Sequence, residues 1–208
     1  MQRRQFATST LASAALLATT SAAWAQATAT VGQAAPNFSA KDVTGKTVSL
    51  ADFKGKTVVL EWVNPGCPYV RKHYDGGNMQ GTQQDALAKN VVWLAINSTG
   101  NDHPDYLAPA KLSDWMKKQK APATHTLMDE DGKIGKAYGA RTTPHMYIVD
   151  GKGMLVYAGG IDSIPSASAS DIPKATNYIK VSLSEMAGGK AVSNSVTRPY
   201  GCSVKYKS

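Results

Sequence analysis

The stretch TVVLEWVNPGCPYV, from Thr57 to Val70, contains the pattern that decides the fold. Its first half, up to Val63, is β-branched or apolar on both faces, which is typical of a central strand in a parallel sheet. Asn64-Pro65-Gly66 ends this strand, and Pro68, a residue suited to the first helical position, opens a helix. Cys67 is therefore predicted to lie between the end of a buried strand and the beginning of a helix.

The predicted place of Cys67 favours a reactive thiol. The positive end of a helix dipole and the free backbone N–H groups of the first turn both stabilise a thiolate. Arg71, four residues further on, would add positive potential. The alternative is an inert cysteine that packs in the core, which is the commoner role of an isolated cysteine.

The rest of the chain alternates strand and helix patterns. Further strands are predicted at Val91–Ile96, Thr126–Met128, His145–Val149 and Met154–Tyr157, and a small hairpin between Asn37–Lys41 and Lys46–Leu50. Helices are predicted from Pro68 to the Gly76-Gly77 break and at Met79–Lys89, Lys111–Lys120, Ile134–Tyr138 and Tyr178–Met186. This alternation predicts a single α/β domain, for which we take residues 26–190.

Residues 1–25 have the pattern of an export signal. Arg3-Arg4 precede a mild apolar run, and Ala23-Trp24-Ala25 places small residues where a signal peptidase cleaves. The run is too short for a stable membrane span. We expect a periplasmic protein, by either the twin-arginine or the general secretory route. The alternative is an amphipathic N-terminal helix of the folded protein.

Composition and charge narrow the class of protein. The 208 residues are 42% apolar, which fits a globular domain and excludes collagen, coiled-coil and disordered chains. Two cysteines are too few for a zinc finger or an iron–sulfur cluster. The net charge of +8 becomes +6 without the two arginines of the signal, and +4 of that lies after Gly189. Since no basic run is interleaved with aromatic residues, we expect no nucleic-acid binding, and residues 191–208 are predicted to be a solvated basic tail carrying Cys202.

Several segments resemble the thioredoxin-like superfamily, and in particular exported redoxin and peroxiredoxin-like proteins. Trp62–Val70 is similar to the active-site segment of that fold, with Cys67 at the first position of its Cys-x-x-Cys motif. Ala140–His145 is similar to the cis-proline loop. Val31–Phe38 and Asp129–Gly139 resemble redoxin sequences, so the likeness covers about residues 31–160.

The resemblance implies a fold and a set of site residues. The expected fold is thioredoxin-like, with a central mixed sheet flanked by helices, an N-terminal hairpin and a C-terminal tail. Glu61 corresponds to the family's buried proton acceptor, and Pro144 should lie against Cys67. The Thr143 backbone, with Pro144 and Pro68, would then bind the substrate chain.

The chain also departs from the family pattern. Val70 replaces the second cysteine of Cys-x-x-Cys, so a dithiol cycle within the motif is impossible. Counted from Cys67, Asn64 and Leu60 stand where a peroxiredoxin has its Thr or Ser and its proline. Cys202 is the other cysteine available as a partner. It would act as a resolving thiol, its thiolate stabilised by the basic tail, or form a permanent structural disulfide with Cys67, or remain unpaired.

These observations predict an exported oxidoreductase that acts on thiols, disulfides or peroxides. Cys67 would be the nucleophile, Glu61 the proton acceptor and Cys202 the resolver. The partners would be a thiol- or disulfide-bearing protein or a small peroxide, together with an external reductant, and no cofactor is expected. One alternative is a non-catalytic binding module with a structural disulfide. Another is a copper-delivery protein in which His145 joins Cys67, whereas His73 is predicted to lie on the solvated surface.

Overall fold

The computed structural model of the protein describes residues 28–208, so the predicted signal peptide lies outside the described residues. The strands are β1 (Ser39–Lys41), β2 (Thr47–Ser49), β3 (Val58–Trp62), β4 (Val92–Asn97), β5 (His125–Met128), β6 (Thr142–Thr143), β7 (His145–Val149), β8 (Leu155–Gly159) and β9 (Cys202–Ser203). The helices are α1 (Pro68–Asp75), α2 (Asn78–Leu87), α3 (Pro109–Lys118), α4 (Lys133–Tyr138) and α5 (Tyr178–Ala187). No helix among residues 28–208 is long and apolar enough to cross a bilayer.

Five strands form the central sheet, in the order β5-β4-β3-β7-β8. Strand β3 is parallel to β4, and β4 to β5, while β7 is antiparallel to both β3 and β8. Strands β1 and β2 form the predicted N-terminal hairpin. The sheet is therefore mixed, which confirms the predicted α/β architecture.

Strand β3 is buried along its whole length because both faces of the sheet are covered. Val59 packs into a core beneath α1, α2 and α5, and this core also contains Cys67. Leu60 and Trp62 pack into the opposite core, with residues of α4. Since side chains alternate along a strand, Glu61 shares the face of Val59 and lies on the same side of the sheet as Cys67.

The C-terminal residues 191–208 pack on the domain, so the prediction of a solvated tail is wrong. Ser195 accepts a hydrogen bond from the Ala158 N–H of β8 at 3.0 Å. Tyr200 is only 8% exposed. Charged residues such as Lys207 remain exposed. A charge count misses this packing because the tail carries aromatic and small anchoring residues between its charges.

Candidate active site

Cys67 lies immediately before α1 and is nearly closed off from solvent. It is 2% exposed, and α1 begins at Pro68, as predicted. The Cys67 Sγ donates a hydrogen bond to the Thr143 carbonyl oxygen at 3.0 Å. The peptide bond from Thr143 to Pro144 is cis. The loop predicted to approach Cys67 therefore does so.

Strand β9 brings Cys202 to Cys67. It pairs antiparallel with β6, so that Cys202 lies opposite Thr143 and Ser203 opposite Thr142. The Cys202 side chain and backbone N–H both hydrogen-bond to Cys67. The fold thus brings together two cysteines that are 135 positions apart in the sequence, and both are free thiols.

The same pairing fills the edge that was predicted to dock a substrate chain. The Thr143 backbone pairs with Cys202 of its own chain instead of lying open. Gly201 allows this close approach, since its φ is 137° and a Cβ there would collide with the Thr143 carbonyl oxygen. While β9 is paired, the tail itself occupies this edge, so a substrate chain could pair with Thr143 only after β9 has moved away.

The environment of Cys67 favours its thiolate. Burial raises the pKa of the Cys67 thiol, but hydrogen bonding by the Cys202 side chain, the Thr143 side chain and the backbone N–H groups of Cys202 and Val70 outweighs it. The pKa of Cys67 is therefore below its ordinary value, as its place at the helix start predicted. Arg71, which was expected to add positive potential, is instead bonded to the strand end, where its Nε donates to the Pro65 carbonyl oxygen at 3.0 Å.

Cys202 has the opposite preference. Burial and the neighbouring Cys67 raise the pKa of Cys202 to about 11, with a smaller contribution from Asp105. Lys205 lowers this pKa but does not compensate. The expectation that the basic tail stabilises a Cys202 thiolate is therefore wrong, because burial and the other sulfur outweigh the charge of the tail. The pair therefore consists of a Cys67 thiol that loses its proton more readily than an ordinary cysteine and a Cys202 thiol that keeps its proton.

Thr143→Val should raise the pKa of Cys67. The Thr143 hydroxyl is buried and has no hydrogen-bond partner in the structure, and it lowers the pKa of Cys67 because it can donate to the thiolate. Loss of one hydrogen bond to a charged group corresponds to about one pKa unit. The measurement is the pH profile of Cys67 alkylation by iodoacetamide, in the Cys202→Ser background. Thr142→Val, which removes a hydroxyl bonded to the Pro144 carbonyl oxygen, should leave the profile unchanged.

Glu61 is a fully buried acid beneath the helix layer that holds Cys67. Its carboxylate accepts hydrogen bonds from the Tyr74 hydroxyl at 2.8 Å, the Trp93 Nε1 at 2.8 Å and the Gln83 Nε2 at 3.2 Å. Burial raises the pKa of Glu61 to about 7, although these three donors lower it. Glu61 can therefore exchange a proton near neutral pH. The described hydrogen bonds of its carboxylate go to these three side chains and not to either sulfur.

Glu61→Gln should remove a pH dependence of stability. The pKa of Glu61 is about 7 in the folded protein against an ordinary 4.5, so the unfolded chain loses its proton first as pH rises. As the pH rises from about 4.5 to about 7, the free energy of unfolding should fall by ~3 kcal/mol, and above that pH it should level off. Urea unfolding at pH 5 and pH 8 measures the change. Glu185→Gln, which removes a carboxylate at the surface, should keep the wild-type fall, and an unchanged fall in Glu61→Gln would contradict the assignment.

A second polar cluster lies on α1 and the tail that carry the two cysteines, and no sequence motif indicates it. His73, predicted to be solvated, is fully buried, and so is the side chain of Lys72. The Lys72 Nζ lies 3.4 Å from Asp162 Oδ2, and Tyr200 donates a hydrogen bond to the other oxygen of Asp162. The prediction for His73 was wrong because the loop after β8 and the tail both fold over this part of α1, which helical spacing alone does not show.

His145 does not approach Cys67, although it follows Pro144. Its Nδ1 lies 3.1 Å from the Tyr147 hydroxyl and accepts from the Arg141 N–H at 3.3 Å. Residues 28–208 contain no group of three His, Cys, Asp or Glu side chains placed to hold a metal ion. The expected copper-delivery ligand is therefore engaged elsewhere. Of the remaining predicted site residues, Pro68 is exposed next to Cys67.

Comparison with known proteins places this arrangement in a family. Residues 31–158, more than half of the chain, match the AhpC/TSA family. The chain belongs to the AhpC/TSA family. A chloroplastic peroxiredoxin Q from Triticum aestivum is 33% identical over an alignment of 141 positions that covers 61% of this chain and 57% of that protein. The matched part thus spans little more than half of that relative.

Other comparisons support the same superfamily. The thiol-disulfide oxidoreductase ResA of Bacillus thuringiensis is 26% identical over an alignment of 133 positions that covers 61% of this chain and 67% of ResA. An uncharacterized conserved protein from Geobacillus kaustophilus aligns over 86% of this chain and 93% of its own, with 27% identity and a TM-score of 0.72. The thioredoxin domain of a thiol-disulfide oxidoreductase from Bacteroides vulgatus aligns over 70% of this chain and 96% of its own, with 23% identity and a TM-score of 0.50. The thioredoxin-like fold is confirmed.

Proposed function

We propose that this protein is an exported thiol oxidoreductase that cycles Cys67 and Cys202 between a dithiol and a disulfide. The observation that carries the proposal is the β6–β9 pairing, which sets the low-pKa thiol of Cys67 against the high-pKa thiol of Cys202. Family membership and the likeness to a peroxiredoxin Q and to ResA support this class of chemistry. Export rests on the predicted signal peptide and implies a periplasmic site of action.

With a peroxide, the cycle begins at Cys67. Its thiolate attacks one peroxide oxygen, the O–O bond breaks, and the other oxygen leaves as an alcohol or water after taking a proton. Cys67 becomes a sulfenic acid. The Cys202 sulfur then attacks the Cys67 sulfur, the S–O bond breaks, and the hydroxyl leaves as water with the Cys202 proton. The peroxide has gained two electrons, and the two cysteines have lost them as a disulfide.

With a disulfide substrate, the same two sulfurs act in the same order. The Cys67 thiolate attacks one substrate sulfur and releases the other as a thiolate, which gives a mixed disulfide. Cys202 then attacks the Cys67 sulfur and displaces the second substrate thiol. In either case an external dithiol reduces the Cys67–Cys202 disulfide by two successive exchanges and becomes a disulfide itself.

The closed geometry around Cys67 favours a small substrate. Cys67 is 2% exposed, and β9 covers the Thr143 edge along which an extended polypeptide would pair. A small peroxide or a low-molecular-weight disulfide needs less room than a folded protein. We therefore propose that the substrates are small oxidants as long as β9 stays paired. In that state Thr143 and Pro144 would contact the substrate only in the space next to the Cys67 sulfur.

Glu61 is proposed as the proton acceptor of the site. Its pKa of about 7 allows it to take and return a proton at neutral pH, and it lies on the sheet face that carries Cys67. Because its carboxylate bonds to Tyr74, Gln83 and Trp93, any exchange with the sulfurs passes through intervening groups.

A steady-state assay tests the proposed function. Reduced mature protein is mixed with dithiothreitol and either hydrogen peroxide or glutathione disulfide, and loss of the oxidant is followed. We expect consumption that depends on both the protein and the reductant, with a faster reaction for one oxidant than for the other. Consumption of both oxidants at the uncatalysed rate would overturn the proposal.

A further inference from the structure

The tail is tied to the helix of Cys67 by a buried hydroxyl group that the proposed chemistry does not use. Tyr200 precedes Cys202 by two residues, and its hydroxyl lies between two buried side chains. The His73 Nε2 is 3.1 Å from this hydroxyl on one side, and Asp162 accepts from it on the other. His73 belongs to α1 and Asp162 to the loop after β8, so Tyr200 joins three segments.

The hydrogen-bond partners fix the direction of each bond. The Asn78 Nδ2 can only donate, and it lies 2.8 Å from the His73 Nδ1, which must therefore accept. The His73 Nε2 then carries the proton and donates to the Tyr200 oxygen. Burial lowers the pKa of His73 to about 4, so the ring is neutral near pH 7 and carries one proton. The Tyr200 hydroxyl in turn donates a hydrogen bond to the Asp162 carboxylate.

Lys72 completes the cluster and keeps Asp162 in place. Its Nζ lies 3.4 Å from Asp162 Oδ2, donates to the Ile164 carbonyl oxygen at 3.2 Å, and sits 5.5 Å from the centre of the Tyr200 ring. Lys72, His73, Asp162 and Tyr200 are all buried, with at most 8% of their surface exposed. If the Tyr200 hydroxyl were removed, the His73 N–H would lose its hydrogen-bond partner in a closed site, and Asp162 Oδ1 would keep only its bond from the Ile164 N–H, which is costly.

We propose that Tyr200 is a positioning residue whose hydroxyl holds the tail so that the Cys202 thiol lies at Cys67 in the reduced protein. This inference rests on the proposed function. In the reduced state, loss of the hydroxyl loosens the part of the tail that carries Cys202, so that Cys202 lies at Cys67 for a smaller fraction of the time, although Tyr206 still anchors the end of the tail. In the oxidised state the disulfide itself keeps the tail attached. The hydroxyl therefore sets the effective concentration of Cys202 at Cys67.

The test is the equilibrium between the protein and glutathione. Two glutathione molecules reduce the protein disulfide to the dithiol and become glutathione disulfide. When half of the protein is reduced, the squared concentration of glutathione divided by that of glutathione disulfide gives the effective concentration of Cys202 at Cys67. Tyr200→Phe should lower it by about tenfold or more. Tyr106→Phe is the matched control, since Tyr106 also donates to a carboxylate, that of Glu130, away from the cluster. It should leave the effective concentration unchanged.

A second measurement reports on the tail alone and separates positioning from a merely structural role. In the Cys67→Ser background, iodoacetamide should alkylate Cys202 several-fold faster when Tyr200→Phe is added, because a loosened tail loses the burial that raises the pKa of Cys202. His73→Gln, which alters the same bond from α1, should act in the same direction if Tyr200→Phe does not fold. An unchanged effective concentration together with lower stability would overturn the proposal. Absence of any Cys67–Cys202 disulfide in the wild type would instead overturn the proposed function.

Discussion

Oxidant turnover should fall to the uncatalysed background when serine replaces Cys67, whereas the Cys202→Ser protein should complete about one turnover per chain and then continue only slowly. Cys67 has the lowered pKa and is the proposed nucleophile, so its loss should prevent the first step. Without Cys202, oxidised Cys67 has no neighbouring thiol to resolve it. An external reductant must then reach a sulfur that is 2% exposed, so the steady-state rate should fall by about a hundredfold or more.

Rapid mixing of each reduced variant with peroxide, in the presence of reductant, separates the two effects. The Cys202→Ser protein should show a burst of one equivalent, and the Cys67→Ser protein should show none. Ser203→Ala changes the next residue of β9 and should behave as the wild type. Full turnover by Cys67→Ser, or an unchanged steady state in Cys202→Ser, would contradict the assigned roles.

Gly201→Ala should separate the cysteines without altering either one. Gly201 has a φ of 137°, which residues with a side chain rarely adopt. A Cβ at this position would collide with the Thr143 carbonyl oxygen, which accepts the hydrogen bond from Cys67. Strand β9 then has to leave β6. We expect the effective concentration of Cys202 at Cys67 to fall by about a hundredfold, and disulfide formation after oxidation to slow in proportion.

Gly189→Ala is the matched control for this change. Gly189 also has a positive φ, of 70°, but no atom lies within 4 Å of its Cβ position. The substitution should cost about 1 kcal/mol of stability through backbone strain and leave the disulfide equilibrium unchanged. Equal effects of the two substitutions would show that strain alone, and not the contact with Thr143, explains the Gly201 result.

The local parts of the fold were predictable from sequence because their patterns are local. Each signal acts within a few residues: the apolar run before Asn64, Pro68 at the first helical position, and the break at Gly76-Gly77. Strand β3 and helix α1 lie where these signals predicted them. The cis bond at Pro144 and its approach to Cys67 followed from the resemblance and are confirmed.

The tail could not be predicted because its structure depends on distant partners. Strand β9 has two residues and pairs with a two-residue strand 59 positions earlier, which leaves no periodic signal. The charge of the tail suggested a solvated segment and a stabilised thiolate at Cys202. Lys205 does lower the pKa of Cys202, but burial and the other sulfur decide the outcome, and a sequence does not reveal burial between distant segments.

The buried cluster around Tyr200 was missed for the same reason. Lys72 and His73 are polar residues on a helix whose neighbours are unknown before folding. Asp162 follows a strand without any motif, and Tyr200 lies far along the chain. A hint was present only in the sequence Pro199-Tyr200-Gly201-Cys202, where an aromatic residue and a glycine precede the cysteine. That spacing fits a segment in which Tyr200 anchors the chain and Gly201 lets Cys202 come close to Cys67.

Reduction of the oxidised protein under native conditions tests the central claim most directly. Reduced mature protein is treated with one equivalent of peroxide, digested without reduction, and mapped, and a second sample is first incubated with dithiothreitol without denaturant. We predict loss of both thiols, a peptide that links Cys67 to Cys202, and complete recovery of both thiols in the folded protein. A linkage that resists dithiothreitol until the protein unfolds would identify a structural disulfide and contradict the redox cycle, as would oxidation that leaves Cys202 a free thiol.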